Sequence, residues 1–321
     1  MESERHGIKG RPQRLVLVGS VLVDILLYVG QLPERGGDRI AEQAILTTGG
    51  GLNVLVAAAR LGMSVTYAGR VGDGPMGHQV MADLEKAGIP LLLPRVQGED
   101  SGFDIGLVES DAERTFVTSP GAESRLQETD LAEIALLPGD SVYISGYDLC
   151  YPLSGKSLGR WLPELGADIL LVLDPGPLAA EIPAERLTHI LKRTDILSLN
   201  KREAYLLTGV DDAREAAIQL AGRIAPGGTI VARMGAEGCW LVQESGRIAH
   251  HIPARATAAV DTTGAGDAHV GALLAQLSTG NDIFAAARIA NIAASLSTER
   301  SGPSTSPTMQ ELIETLNQPP T

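Results

Sequence analysis

Short apolar runs and helical patterns take turns along this chain, and that alternation limits the folds open to it more than any other feature. Residues 15–18 form an apolar run ending at Gly19-Ser20, and similar runs recur at 64–68, 141–144, 169–173, 196–199 and 229–232. Apolar residues at helical spacing fill the intervals 53–61, 76–87, 154–165 and 213–224. A strand that is apolar throughout needs cover on both faces, which is the situation inside a parallel sheet. Strands alternating with helices provide that cover, so the expected class is α/β, a doubly wound and mostly parallel sheet. Ligands of such sheets gather at the carboxyl ends of the strands, and Asp174, Asn200 and Gly235 each follow a strand-like run.

Two stretches break the pattern. The first has a strand-like segment at 25–28, a turn at Pro33-Glu34-Arg35-Gly36-Gly37, and a second strand-like segment at 38–46. The other has arms at 103–108 and 114–117 around Glu109-Ser110-Asp111-Ala112. Neither carries a helix that could return it to the main sheet, so both read as hairpin material. A final helix is expected at Met309–Leu316, and no repeat, heptad or low-complexity tract interrupts the chain.

The run Asp261-Thr262-Thr263-Gly264-Ala265-Gly266-Asp267 carries the densest chemistry. An apolar helical pattern follows at once, so the run is a loop closing on a helix N-terminus, where free N–H groups and the helix dipole favour an anion. Glycine lets the backbone approach that anion closely. An acid in the first turn, Asp267, is either a plain helix-dipole partner or a base that deprotonates a hydroxyl attacking phosphorus.

These residues resemble the second signature of the ribokinase/PfkB-like carbohydrate kinase family, close to D-T-x-G-A-G-D. Its first signature is similar to Gly49-Gly50-Gly51-Leu52-Asn53 and the alanine-rich helix that follows, and its Asn-x-x-Glu element to Asn200-Lys201-Arg202-Glu203. The order and separations also agree, and the resemblance runs from about Arg14 to about Ile313. It implies one ribokinase-like α/β domain over 1–321, with lid segments at about 24–48 and 99–119 forming a small β-sheet over the sugar.

The resemblance also implies roles, each beside a plainer alternative. Asp24, an acid within an apolar run, would bind substrate hydroxyls, or else take backbone N–H groups of the nearby turn. Asn53 would bind a hydroxyl pair or cap its helix, and Gly49 and Gly50 would let the backbone touch the sugar. Asp267 would be the catalytic base, with Gly264, Ala265 and Gly266 forming the anion hole. Asn200 and Glu203 would orient Mg2+ through water, or form an N-cap with a solvated acid. Arg233, Gly235 and Gly238 fall in the nucleotide-side loop, where Arg233-Met234 replace the usual Thr or Lys, and Gly-x-x-Gly is otherwise a plain turn. Asn291 aligns with a residue lining the adenine pocket, or is a half-buried helix polar group. Asp261, Thr263, Ser297, Arg300, Gly302 and Ser306 match a monovalent cation site suited to K+. Arg114 and Thr115 match a lid pattern; Phe103 and Phe116 read as lid core or as substrate cover. His269 stands where many relatives have Phe, a packing difference.

Composition narrows the partners. A net charge of −13 argues against nucleic acid and anionic membrane as ligands. The two cysteines, Cys150 and Cys239, lack metal or disulfide spacing, and no apolar run is long enough to span a bilayer; a cytoplasmic setting is expected. The activity implied is transfer of the γ-phosphate of ATP, with Mg2+, to a primary hydroxyl of a small sugar. A nucleoside kinase is the alternative within the family, against which the 3% aromatic content leans, and a non-catalytic sugar sensor is the alternative outside it. Five lysines lean against a phosphorylated sugar as acceptor. Pairing of lids would make a homodimer.

Overall fold

Leu15 and Leu17 enter one apolar core while Val16 and Val18 enter a second, so the first strand of the chain has a core on each face. The computed structural model describes residues 11–110, 113–243 and 246–318. Met1–Gly10, most of the polar N-terminal stretch, and Asp111 and Ala112 of the expected lid turn lie outside the described residues.

The strands among the described residues are β1 (Arg14–Leu17), β2 (Val23–Gly30), β3 (Gln43–Thr48), β4 (Ser64–Tyr67), β5 (Phe103–Glu109), β6 (Arg114–Ser119), β7 (Asp140–Ser145), β8 (Leu170–Asp174), β9 (Ile196–Asn200), β10 (Thr229–Arg233), β11 (Cys239–Gln243) and β12 (Ile248–Ile252). Eight of them form a sheet in the order β12-β11-β10-β9-β8-β7-β1-β4. From β10 to β4 every pairing is parallel; β11 and β12 add an antiparallel edge. β7, β8 and β9 are buried almost throughout, and β8 is apolar up to its final Asp174, as strands with two covered faces must be.

Helices Leu52–Arg60, Pro75–Lys86, Ala265–Ser278 and Ile283–Thr298 supply the first core. Helices Pro152–Trp161, Ala184–Leu191 and Ala213–Ala221 supply the second. The expected doubly wound sheet is therefore present, each of its expected strands within one residue of the observed one, whereas in the small sheet the strand expected at 38–46 begins only at Gln43. The helix at Ala184–Leu191 is too short for its apolar positions, Leu187, Ile190 and Leu191, to have given a clear period.

The two exceptional stretches make a separate four-stranded sheet, β3-β2-β5-β6. β2 with β3, and β5 with β6, are antiparallel as hairpin material should be, but the inner pair, β2 with β5, is parallel. That pairing sets Asp24 opposite Asp104 across the middle of the small sheet. From β1 the chain passes through β2 and β3 of the small sheet to β4 on one side of β1, then through β5 and β6 to β7 on the other. A crevice opens where the direction reverses, at the carboxyl ends of the strands.

Candidate active site

That crevice is a cavity of about 320 Å³, lined by the residues at or just past the ends of β1, β7, β8, β9 and β10: Ser20, Ser145, Asp174, Asn200 and Arg233. Asp24, Asp104 and Phe116 of the small sheet cover it from one side, and Gly264, Gly266 and Asp267 close it from another.

The loop at Gly264 turns sharply into the helix Ala265–Ser278. Gly264 has φ 72°, the left-handed region, and a Cβ there would stand 2.2 Å from the Pro303 carbonyl oxygen, so only glycine fits. The Ala265 N–H is bonded to the Thr262 carbonyl at 3.2 Å. Ala265 therefore shapes the turn, and the backbone N–H groups that can meet an anion are those of Gly266 and Asp267. Asp267 lies in the first turn and faces the cavity, its Oδ2 accepting from Asn53 Nδ2 at 3.1 Å. Burial and the charge of Asp174 push its carboxyl up to about 6, against the opposing pull of Asn53 and Arg233.

Asn53 does not cap its helix: Gly51 is the cap, and Asn53 is buried within the first turn. Its Oδ1 accepts from Ser304 Oγ at 2.7 Å while its amide holds Asp267. It touches the acid directly but is not among the residues lining the cavity.

At the other end of the strand row, Asn200 caps the helix Lys201–Thr208 in a reciprocal capping box with Glu203. The acid of that box is buried rather than solvated, at 4% exposure. Arg233 Nη2 lies 3.0 Å from Asp174 and 3.5 Å from Glu203, and its Nη1 donates to the Gly266 carbonyl at 3.2 Å. The side chain from the nucleotide-side loop thus reaches the floor of the cleft, beside the helix N-terminus. One guanidinium against Asp174, Glu203 and Asp267 leaves an excess of negative charge. Burial and Asp174 accordingly push the Glu203 carboxyl up to about 7. No group of three or more His, Cys, Asp or Glu side chains among the described residues is arranged as a metal-ligand set. The donor chemistry suits a hydrated Mg2+ carried on phosphate oxygens, with the acids acting through water.

Asp24 occupies the end of the cleft under the small sheet. Gly49 is glycine because a Cβ there would meet the Asp24 carboxylate at 2.0 Å, and Gly50 has φ 61° and itself lines the cavity. No backbone or side-chain donor reaches Asp24 among the described residues, so the turn does not satisfy it. Burial, then the charges of Asp104 and Asp267, push its carboxyl up to about 7. Phe116, Tyr143, Tyr147 and Tyr151 line the same cavity, so the few aromatic residues of the chain are concentrated where an acceptor would lie. The composition argument against an aromatic-walled pocket fails for that reason. Asp104 and Tyr151 were not evident as site residues, although Asp104 carries the same signal as Asp24, an acid within an apolar strand.

Other expected residues lie apart from the cleft. Asn291 Nδ2 donates to the Ile252 and Pro253 carbonyls at 2.9 and 3.2 Å, and its Oδ1 faces His269 Nε2 at 3.1 Å. It ties β12 to the helix Ile283–Thr298 and does not line the cavity. His269 is buried, and desolvation holds it neutral, its pKa pulled down to about 3. Gly235 and Gly238 shape the turn between β10 and β11 with φ 57° and 97°, outside the cavity lining. Behind the helix N-terminus, Asp261 accepts from Thr263 and from the Gly302 N–H at 2.9 Å, and pairs with Arg114 at the tip of the small sheet. Thr305 Oγ1 donates to the Ser297 carbonyl at 2.8 Å, the Ser306 carbonyl accepts from Arg60, and Arg300 pairs with Glu311. The six positions expected for a monovalent cation are thus near one another in part only: Asp261, Thr263 and Gly302 share bonds, whereas Arg300 points to another helix.

Comparison with known proteins gives a consistent answer. Residues 12–309 match the family described as pfkB family carbohydrate kinase. An uncharacterised sugar kinase of Escherichia coli, YegV, is 33% identical over 308 residues, covering 94% of this chain and 93% of that protein. Among solved structures, Arabidopsis thaliana ribokinase complexed with ribose and ATP is similar with a TM-score of 0.77 at 22% identity, covering 96% of this chain and 100% of that one. Adenosine kinase from Sinorhizobium meliloti is similar with a TM-score of 0.79 at 19% identity, covering 96% and 100%. Among the described residues no helix is long and apolar enough to cross a membrane.

Proposed function

The chain belongs to the pfkB family of carbohydrate kinases, a family of phosphotransferases, and from that premise we propose that it transfers the γ-phosphate of ATP to a primary hydroxyl of a small sugar. One observation carries the reading: an acid in the first turn of a helix, Asp267, shares a single cavity with an unpartnered acid, Asp24, fit to hold hydroxyls.

The acceptor would lie under the small sheet, which acts as a lid, with hydroxyls on Asp24 and backbone contact at Gly49 and Gly50. Asp267 removes the proton from the attacking hydroxyl, and its pKa near 6 leaves it ionised at neutral pH while keeping it basic. Gly264 and Ala265 hold the turn that presents the Gly266 and Asp267 N–H groups to the transferring phosphoryl group. Asn53 positions the base, and a share of the acceptor's contacts falls to it only through Asp267. Arg233 adds a fixed positive charge beside that N-terminus. Asn200 and Glu203 would hold Mg2+ through water; the ion, when bound, neutralises charge on the phosphates. Gly235, Gly238 and Asn291 would shape the nucleotide side from behind, and the Asp261, Thr263 and Gly302 cluster, with Ser297, Arg300 and Ser306, would bind K+. Lid closure, marked by the Arg114–Asp261 pair, would exclude water.

A nucleoside acceptor is the second reading, favoured by Phe116, Tyr143, Tyr147 and Tyr151 in the cavity wall. A homodimer through the small sheet fits its outer face, where Leu46 and Val117 are exposed; light scattering showing only monomer would contradict it. A reducing, cytoplasmic setting agrees with the two free cysteines. The test is ADP release against free pentoses, hexoses and nucleosides, with Mg2+ and with or without K+. Turnover with a free sugar supports the proposal, turnover confined to nucleosides selects the second reading, and saturable binding of a sugar without turnover overturns the kinase reading.

A further inference from the structure

Across the middle of the small sheet, the register sets Thr47, Asp24, Asp104 and Thr118 side by side on β3, β2, β5 and β6. Asp24, Asp104 and Thr118 line the cavity. Two carboxylates therefore stand opposite each other at the acceptor end. Asp104 takes a hydrogen bond from Thr118, yet its Oδ1 is buried with no partner among the described residues. Asp24 has no donor among the described residues. A buried carboxylate oxygen without a donor is costly, and nothing in the fold of the small sheet requires an acid there. The cost is repaid only when something in the cavity brings donors. Arg233 is the only Lys, Arg or His side chain lining the cavity among the described residues, and it is engaged with Asp174, Glu203 and the Gly266 carbonyl. An acceptor with a carboxylate or phosphate at the Asp24–Asp104 end would meet two like charges and no cation.

We propose that Asp104 is a specificity-determining residue: with Asp24 it forms a two-carboxylate receptor for an acceptor that presents hydroxyl or protonated amine donors there, and it rejects acceptors that are anionic at that end. The inference rests on the kinase reading and sharpens it from a small sugar to a non-anionic, donor-rich one. Burial raises both carboxyls, and at Asp24 the charge of Asp104 adds to it, so an acceptor that brings donors relieves both. Tyr147 and Tyr151, whose hydroxyls burial and then the nearby carboxylates keep protonated, stand ready as further donors and acceptors.

The experiment measures kcat/KM and calorimetric binding of D-ribose, D-glucose, glucosamine, glucuronate and ribose 1-phosphate with wild type, Asp104→Ala and Asp104→Asn. The wild type is expected to favour the neutral or aminated sugars over the anionic ones. Asp104→Ala should raise the acceptor KM by about tenfold or more, as loss of a hydrogen bond to a charged group does, leave the KM for ATP unchanged, and narrow the discrimination against anions. Asp104→Asn should recover a neutral acceptor better than glucosamine; the reverse order would point to the ammonium as the species held by neither carboxylate and overturn the pair. Wild-type preference for glucuronate or ribose 1-phosphate also overturns the proposal. Thermal unfolding of the free proteins gives a readout independent of any acceptor. A recognition residue predicts a melting temperature for Asp104→Ala equal to or above wild type, whereas a clear fall makes Asp104 structural and refutes the assignment. Binding without turnover would count against the kinase reading and leave this one to the binding ratios.

Discussion

Replacing Asn53 by Ala removes the one side-chain hydrogen-bond donor to Asp267 among the described residues, the 3.1 Å bond from Nδ2 to Oδ2. A hydrogen bond to an ionised acceptor contributes about 1.5–3 kcal/mol, and each pKa unit corresponds to about 1.4 kcal/mol, so its loss should raise the acid by about one to two units. Asp267 faces an open cleft where solvent screens part of the effect, which favours the lower figure, about one unit. The carboxyl starts near 6 and should move to about 7. A base works only when ionised, so the acid limb of kcat/KM for the acceptor should shift upward by the same amount. At pH 6 the variant should lose about tenfold relative to pH 8, while at pH 8 it should lie within a few-fold of wild type. Initial rates from pH 5 to 9 read this directly. An unmoved acid limb with an acceptor KM raised at every pH would refute the reasoning, because Asn53 would then hold the acceptor and not the base.

Stability should depend on pH in the opposite sense from an ordinary acid-labile protein. Asp24 and Glu203, together with Asp148, buried just past β7 against Ser20, are pushed up by burial to about 7 and Asp267 to about 6, so folding favours their protonated forms. That stabilisation is complete below the unfolded carboxylate range near 4 and is lost as pH rises through 6 to 7, so the melting temperature of the free protein should fall between pH 5 and 8. The carboxyls that the fold holds low, such as Asp261, act only below that window. A flat or rising melting temperature across it would contradict the assignment. Gly264→Ala should cost at least about 1–2 kcal/mol from the left-handed backbone alone, and more because the Cβ would sit 2.2 Å from the Pro303 carbonyl. Urea unfolding checks it; a loss below about 0.5 kcal/mol would mean that the turn is freer than described.

The sheet was legible because its strands are uniform. Val142, Ile144, Leu171 and Leu173 are apolar without exception, and strand ends fell where Asp174 and Asn200 interrupt the runs. The small sheet was legible as hairpins, but its parallel inner pair depends on contacts between segments some 80 residues apart, which local pattern does not encode. Single residues in apolar runs pointed to Asp24, and the same signal at Asp104 had the same meaning. Arg233 was harder. Its position beside Gly266 follows from the pairing of β10 with β9, and only the folded chain brings it against Asp174 and Glu203. The partners of Asn291 were equally hidden, because a buried helix amide finds them in another element, here the carbonyls of Ile252 and Pro253.

The most direct test of the central claim is a single-turnover measurement of γ-phosphate transfer from ATP with Asp267→Asn, using an acceptor that the wild type phosphorylates. The substitution keeps size and the contact with Asn53 while removing the base. Transfer should slow by about 10²–10⁴-fold at neutral pH with acceptor binding within a few-fold of wild type. Transfer at a rate near that of wild type would contradict the account, because the hydroxyl would then lose its proton to some other group.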